Sequence, residues 1–324
     1  MTKKMTKMTK MMKRILIPVD GSPAAEAILP QLDRLLRGKE SEWTFLRVVP
    51  PVPALPGIDH ARLAGTDRSQ SEKYLGDLVK RLEGDGVRAR GLTVDGHEAE
   101  TILRVAREVK ATMIAMTTHG RTGVSRWTLG SVAEKVVRAS EVPVLLLRSF
   151  EGAVPRPPRE LAVRRILFPV DGSDLAAAAL PAVEEIARGF GSEVLALHVQ
   201  PEPDLFVFGR AGVDPVQVTP PEPESVTAPI LERLKGAGIR AVGREARGDA
   251  ASRILDAAQS ESVDLIVIST HGRTGVSRWV LGSVTEKVLR GSTVPMLVVR
   301  TRPAQARRAP RRKAELAGST VERA

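Results

Sequence analysis

At 324 residues, 42% hydrophobic and 27% charged, the chain is long enough for two domains that each bury a core, and no apolar run reaches the 18 or more residues a membrane helix needs. The net charge of +11 sits at the ends: residues 1–14 carry six Lys/Arg and no acid, residues 300–324 a net of +6, and the body between them about −1. Basic tails on a near-neutral body read as solvated ends, not as a nucleic-acid or membrane surface, and the lack of cysteine excludes disulfides, thiol catalysis and thiolate metal sites.

The expected organisation begins with a basic tail over residues 1–12. Its start resembles the basic end of a signal peptide, but Ile-Leu-Ile-Pro-Val-Asp-Gly-Ser follows where a long apolar stretch would be required, so a cytoplasmic protein is expected. A first domain then spans 13–148. Short β-branched runs predict strands over Arg14–Val19, Trp43–Val49, Val87–Val94, Thr112–Thr117 and Pro143–Leu147. Longer periodic stretches predict helices over Pro23–Arg37, Asp67–Glu83, Glu98–Val109 and Ser131–Arg138, with Pro50–Leu63 as a loop. A Pro- and charge-rich linker occupies 149–163, a second domain 164–300, and a second basic tail 301–324.

The second domain is a copy of the first. Arg14–Ser22 returns as Arg165–Ser173 at an offset of 151, and Thr117–Arg138 returns as Ser269–Arg290 at 152 with 18 of 22 positions identical. Strands alternating with helices, and too apolar to face water, predict an α/β fold: two tandem open parallel five-stranded sheets with helices on both faces. In such sheets ligands bind beyond the carboxyl ends of the strands, at the switch point of strand order.

Two features stand at that end. Asp20 and Asp171 close the first strand of each copy, where a carboxylate can accept hydrogen bonds from a ribose or an amino group. A local role competes: Ser22 as N-cap with Pro23 behind it accounts for the serine and only partly for the aspartate, and Asp171 stays although no proline follows Ser173. After the fourth strand comes Thr118-His-Gly-Arg-Thr-Gly123, and then Gly130-Ser131 opening a helix; the copy repeats this through Gly272 to Gly282-Ser283. Glycines allow close backbone approach, and a helix start offers unpaired N–H groups to an anion. His119 and His271 lack a nucleophile and an orienting acid, so they read as loop-shaping residues, and Trp127 and Trp279 as packing anchors. The chain has no P-loop motif and no paired metal-ligand pattern.

Pro-Val-Asp-Gly-Ser, His-Gly-Arg-Thr-Gly and Leu-Gly-Ser-Val, in this order of strands and helices, resemble the universal stress protein family over nearly all of 13–148 and 164–300. The resemblance implies ATP as ligand, with Mg²⁺ carried on its phosphates, and a stress-response or regulatory role with little or no hydrolysis. It places Asp20 and Asp171 at the adenosine end, the backbones of Val48 and Val199 along the adenine, and Met116 and Ile268 in its pocket. Gly120, Gly130 and Ser131, with Gly272, Gly282 and Ser283, would cradle the phosphates, and Arg121 and Arg273 would pair with their charge. Both copies depart from the pattern where Thr117 and Ser269 replace its first glycine, which leaves a nucleotide-free interaction scaffold as the alternative and a slow ATP hydrolase behind it. The resemblance also implies pairing of the two domains through their fifth strands, with a homodimer of chains as a further expectation.

Overall fold

A computed structural model describes residues 13–26, 28–36, 41–51, 60–117, 129–147, 163–202, 225–270 and 281–300. The first half contains β1 (Arg14–Pro18), α1 (Pro23–Glu26), α2 (Leu29–Leu36), β2 (Glu42–Val49), α3 (His60–Gly84), β3 (Arg88–Asp95), α4 (Glu98–Glu108), β4 (Met113–Thr117), α5 (Ser131–Ala139) and β5 (Val144–Leu147). The second repeats it as β6 (Arg165–Val170), α6 (Asp174–Ala177), α7 (Leu180–Phe190), β7 (Glu193–Gln200), α8 (Ala228–Gly236), β8 (Ala241–Arg247), α9 (Ala250–Ser260), β9 (Leu265–Ser269), α10 (Ser283–Gly291) and β10 (Met296–Val299).

The two sets of strands form a single sheet ordered β3-β2-β1-β4-β5-β10-β9-β6-β7-β8. Among the described residues pairing is parallel inside each half and antiparallel between β5 and β10, with Leu146 opposite Met296, Leu145 opposite Leu297 and Val144 opposite Val298. Leu145 and Leu297 share one face of the junction, and Leu146 and Met296 the other, so the core on each face runs from one half into the next. On the first face Ile17, Phe45 and Ala115 meet Ile28 and Leu32 of the α1–α2 region and Leu75 and Leu78 of α3. On the second, Leu16, Leu46 and Ile114 meet Ile102 and Val105 of α4 and Val136 and Val137 of α5. A side chain also crosses the junction: Arg300 Nη1 donates to Ala139 O at 3.1 Å, satisfying a carbonyl at the end of α5.

Three features differ from the sequence reading. The helix expected over Pro23–Arg37 is broken into α1 and α2, as its copy is into α6 and α7. Pro30 and Pro181 stand at the second position of the later helix, where a ring without N–H can only begin a helix, not continue one. Helix α3 begins at His60, well inside the expected loop. Strands β3 and β8 end the sheet, and most of their residues are exposed or half-buried, so the apolar rule fails there. What they keep is a glycine under the covering helix: a Cβ on Gly91 would lie 2.9 Å from Leu75 Cβ, and one on Gly243 2.8 Å from Thr227 Oγ1.

Candidate functional site

The crevice starts from a proline. Strand β1 pairs with β4 only through Ile15–Met113 and Leu16–Ile114, although both strands run on; β6 and β9 pair only through Ile166–Leu265 and Leu167–Ile266. Backbone groups alternate sides along a strand. Arg14 O and Arg165 O accept from the β4 and β9 side, so two steps on Leu16 and Leu167, and four steps on Pro18 and Pro169, face the same way. Proline has no N–H to donate, so the ladder stops there and the strands part at their carboxyl ends. Each half therefore opens where its strand order switches.

On the other side of β1, Val19 N donates to Leu46 O at 2.9 Å, which fixes Leu46 as facing β1, and Gly96 N donates to Val49 O at 3.0 Å, which fixes Val49 as facing β3. Val48, between them in phase with Leu46, turns its N–H and C=O toward the space beyond the end of β1. In the second half Gly248 N donates to Gln200 O at 2.9 Å and Glu193 N to Arg164 O at 2.8 Å, which turns Val199 the same way. Met116 and Ile268 lie buried near the ends of β4 and β9, on the face that α4, α5, α9 and α10 cover.

The aspartates are held in tight turns. Asp20 Oδ1 accepts from Ser22 N at 2.9 Å and Ser22 Oγ at 2.5 Å, while Ser22 Oγ accepts from Ala25 N at 3.1 Å. Asp171, Ser173 and Ala176 repeat this at 3.0, 2.6 and 3.1 Å. Gly21 and Gly172 stand between at φ +76° and +79°, a conformation that favours glycine. The local role thus explains more of Asp20 and Asp171 than the sequence allowed: each orients the serine that caps the next helix. It also fixes each carboxylate, half-buried, at the end of β1 or β6. Near Asp20, burial pushes the Tyr74 phenol well above its ordinary value and the Glu26 carboxylate adds to the effect; Glu26 is itself paired to Arg81 at 2.8 Å.

The helix starts form the third wall. Gly130 and Gly282 are the N-caps of α5 and α10, and among the described residues neither helix has a side-chain cap. Their first-turn N–H groups are therefore of the kind that binds anions, and the exposed Ser131 and Ser283 stand at the first helical position. Gly282 N donates to Thr270 O at 2.9 Å, which seats α10 directly at the end of β9. Thr285 Oγ1 adds a second tie to Ser269 O at 2.9 Å. Thr117 and Ser269 end β4 and β9 as buried residues. Met113 and Ala115, like Leu265 and Val267, lie on the face opposite α5 and α10, and alternation puts the Thr117 and Ser269 side chains on that opposite face. Gly120, Arg121, Gly272 and Arg273, with His119, His271, Trp127 and Trp279, lie outside the described residues.

An open cavity of about 590 Å³ adjoins the second crevice, bordered by Val199, Glu202, Asp249 and Arg253. Backbone and hydroxyl hydrogen bonds from Ser252 and the ammonium of Lys287 hold the Asp249 carboxyl below the usual carboxylate range. The sequence reading missed this wall, and it missed Thr285, Pro18 and Pro169. The prolines had a visible signal, since both copies place one two residues before the aspartate. Among the described residues no helix is long and apolar enough to cross a membrane.

The model of the "Universal stress protein family" matches residues 11–148 and again 162–300. A universal stress protein of Mycobacterium tuberculosis H37Rv is 30% identical over 204 residues, a match that takes in 62% of this chain and spans 65% of that relative's length. Another from the same strain is 25% identical over 311 residues, covering 88% of this chain and 96% of the relative. Among solved structures, a universal stress protein from Archaeoglobus fulgidus superposes with a TM-score of 0.67 at 22% identity, covering 89% of this chain and 96% of its own; at that identity the likeness concerns the fold. With both halves matched, the chain belongs to the universal stress protein family as a two-domain member.

Proposed function

We propose that the chain is a cytoplasmic stress-response or regulatory protein that binds two molecules of ATP, one in each half, and hydrolyses them little or not at all. One observation supports this most: in both halves a strand edge (Val48, Val199) and a helix start with a glycine as its N-cap (Gly130, Gly282) border the crevice where the first and fourth strands part. Such a strand edge suits the hydrogen-bonding rim of a base, and such a helix start suits phosphates. Asp20 and Asp171, at the ends of β1 and β6, would accept from a ribose. Met116 and Ile268 would bound the base from below, Ser131 and Ser283 would donate to phosphate oxygens, and Gly120, Arg121, Gly272 and Arg273 would complete the phosphate side. Mg²⁺ would arrive on the phosphates.

In this reading residues 13–148 and 164–300 are the two domains, with a linker over 149–163 and solvated tails at either end. Their junction through β5 and β10 is an internal counterpart of a dimer, in which the same strand from each half meets its copy in antiparallel register. A homodimer of chains would add to this arrangement. The alternative, a nucleotide-free scaffold, rests on Thr117 and Ser269 in place of glycine. Alternation, which puts both buried side chains on the face opposite α5 and α10, weakens it. Denaturing the purified protein and separating the released small molecules tests the reading, together with a titration of the refolded or nucleotide-stripped chain. Released or titrated ATP supports it; neither, at millimolar ATP and Mg²⁺, overturns it.

A further inference from the structure

The cavity beside Val199 is lined by different polar residues from those the first half carries at the same positions, where Glu98 and Glu100 stand in place of Ala250 and Ser252. At the repeat offsets Glu202, Asp249 and Arg253 correspond to Pro51, His97 and Thr101. Arg253 is pinned: its Nε donates to Arg247 O at 2.8 Å, and its Nη1 lies 3.5 Å from Asp256 Oδ2. It also rests against Gly248, where a Cβ would come within 3.2 Å of Nε. The guanidinium is thus a half-exposed plane of fixed orientation in the wall of the cavity. Asp249 is committed to Ser252 and Lys287, so Glu202 supplies the second carboxylate of the wall.

Glu202 and Asp249 stand against Arg253 and the Lys287 ammonium that pairs with Asp249, so the wall is close to neutral and lacks the net positive charge that a phosphate would need. A flat, neutral, hydrogen-bonding ring suits it better: a guanidinium face attracts a π-system, and a carboxylate accepts from an amino group. We propose, resting on the nucleotide reading above, that Arg253 and Glu202 form a base-selecting subsite present only in the second half. Arg253 stacks on the ring, and Glu202 accepts from an exocyclic amino group. The second half therefore prefers a 6-amino purine to a 6-oxo purine, while the first half, with Thr101 and Pro51, discriminates less.

The test is calorimetric titration of the full chain with ATP and, separately, with inosine triphosphate, which carries oxygen in place of the amino group. ATP is expected to outcompete inosine triphosphate at one of the two sites. Arg253→Ala is expected to lower ATP affinity about tenfold at that site and leave the other unchanged. Glu202→Gln is expected to erode the ATP preference there, and Arg253→Lys, which keeps the charge without the plane, to fall between. Thr101→Ala should alter neither site. Equal binding of the two nucleotides at both sites, or ATP affinity indifferent to Arg253→Ala, overturns the subsite alone. No ATP binding by the unaltered chain overturns the nucleotide reading and the subsite with it.

Discussion

The two halves are built to one plan at the bottom of the crevice and to two plans at its rim. Asp20 and Asp171 make the same turn to within about 0.1 Å, and both crevices open after a proline two residues earlier. Away from that point the copies part. Thr285 ties α10 to β9 where the first half has Ala133. His198 Nδ1 lies 2.6 Å from Glu245 Oε2, at positions held by Arg47 and Thr93 in the first half. There Arg47 reaches Ser71 instead, at 3.4 Å, and Thr93 Oγ1 is buried without a hydrogen-bond partner among the described residues. Duplication thus preserved the parts set by backbone geometry and let the side-chain networks around them diverge.

The shared element is the junction. Leu297, almost fully buried on the face it shares with Leu145, is expected to cost about 2–5 kcal/mol when changed to Ala, and urea denaturation should show both halves losing stability together. A two-step transition in which the first half is unaffected would show that β5–β10 pairing does not couple them.

The next effect concerns the crevice itself. Pro169→Ala restores an N–H facing β9 and lets the ladder extend one step toward the site. ATP affinity at the second half is expected to fall about tenfold, or roughly 1.4 kcal/mol, while the first half keeps its affinity. A matched loss at both sites would contradict their independence.

Smaller effects separate the two rims. Thr285→Val removes the tie to Ser269 O and is expected to cost about 1 kcal/mol, read as a lowered thermal midpoint. Thr93→Val removes a buried hydroxyl that has no partner among the described residues, and is expected to stabilise the first half by up to about 1 kcal/mol. Asp249→Ala deletes the cap of α9, for about 1 kcal/mol near neutral pH. The Asp249 carboxyl is held below its usual range, so its contribution is present above the ordinary aspartate value and is lost as pH falls through the folded one. The gap between wild type and Asp249→Ala should therefore close under acid conditions; a gap that widens would reverse the assigned sign.

The parts legible in the sequence were those set by backbone rules. Alternating apolar runs marked the buried strands, and Gly130-Ser131 marked a helix start that the structure shows as such. The break between α1 and α2 was also written there, in Pro30 and Pro181, but the apolar spacing on either side masked it. What could not be read depended on neighbours distant in sequence. The exposure of β3 follows from its place at the end of a ten-stranded sheet; Arg88 and Arg90 suit such an edge, but the strand order that puts them there is not local. The engagement of Asp20 by Ser22 was a two-residue geometry consistent with either role. Thr285 looked like any helix residue until β9 stood beside it.

The count of ATP bound per chain tests the central claim most directly, by equilibrium dialysis of the full chain against labelled ATP with Mg²⁺, beside Gly130→Val and Gly282→Val. Two ATP per chain, falling to one in either variant and to none in the double variant, is the expected result. A chain that binds none, or that still binds two after both changes, would contradict it.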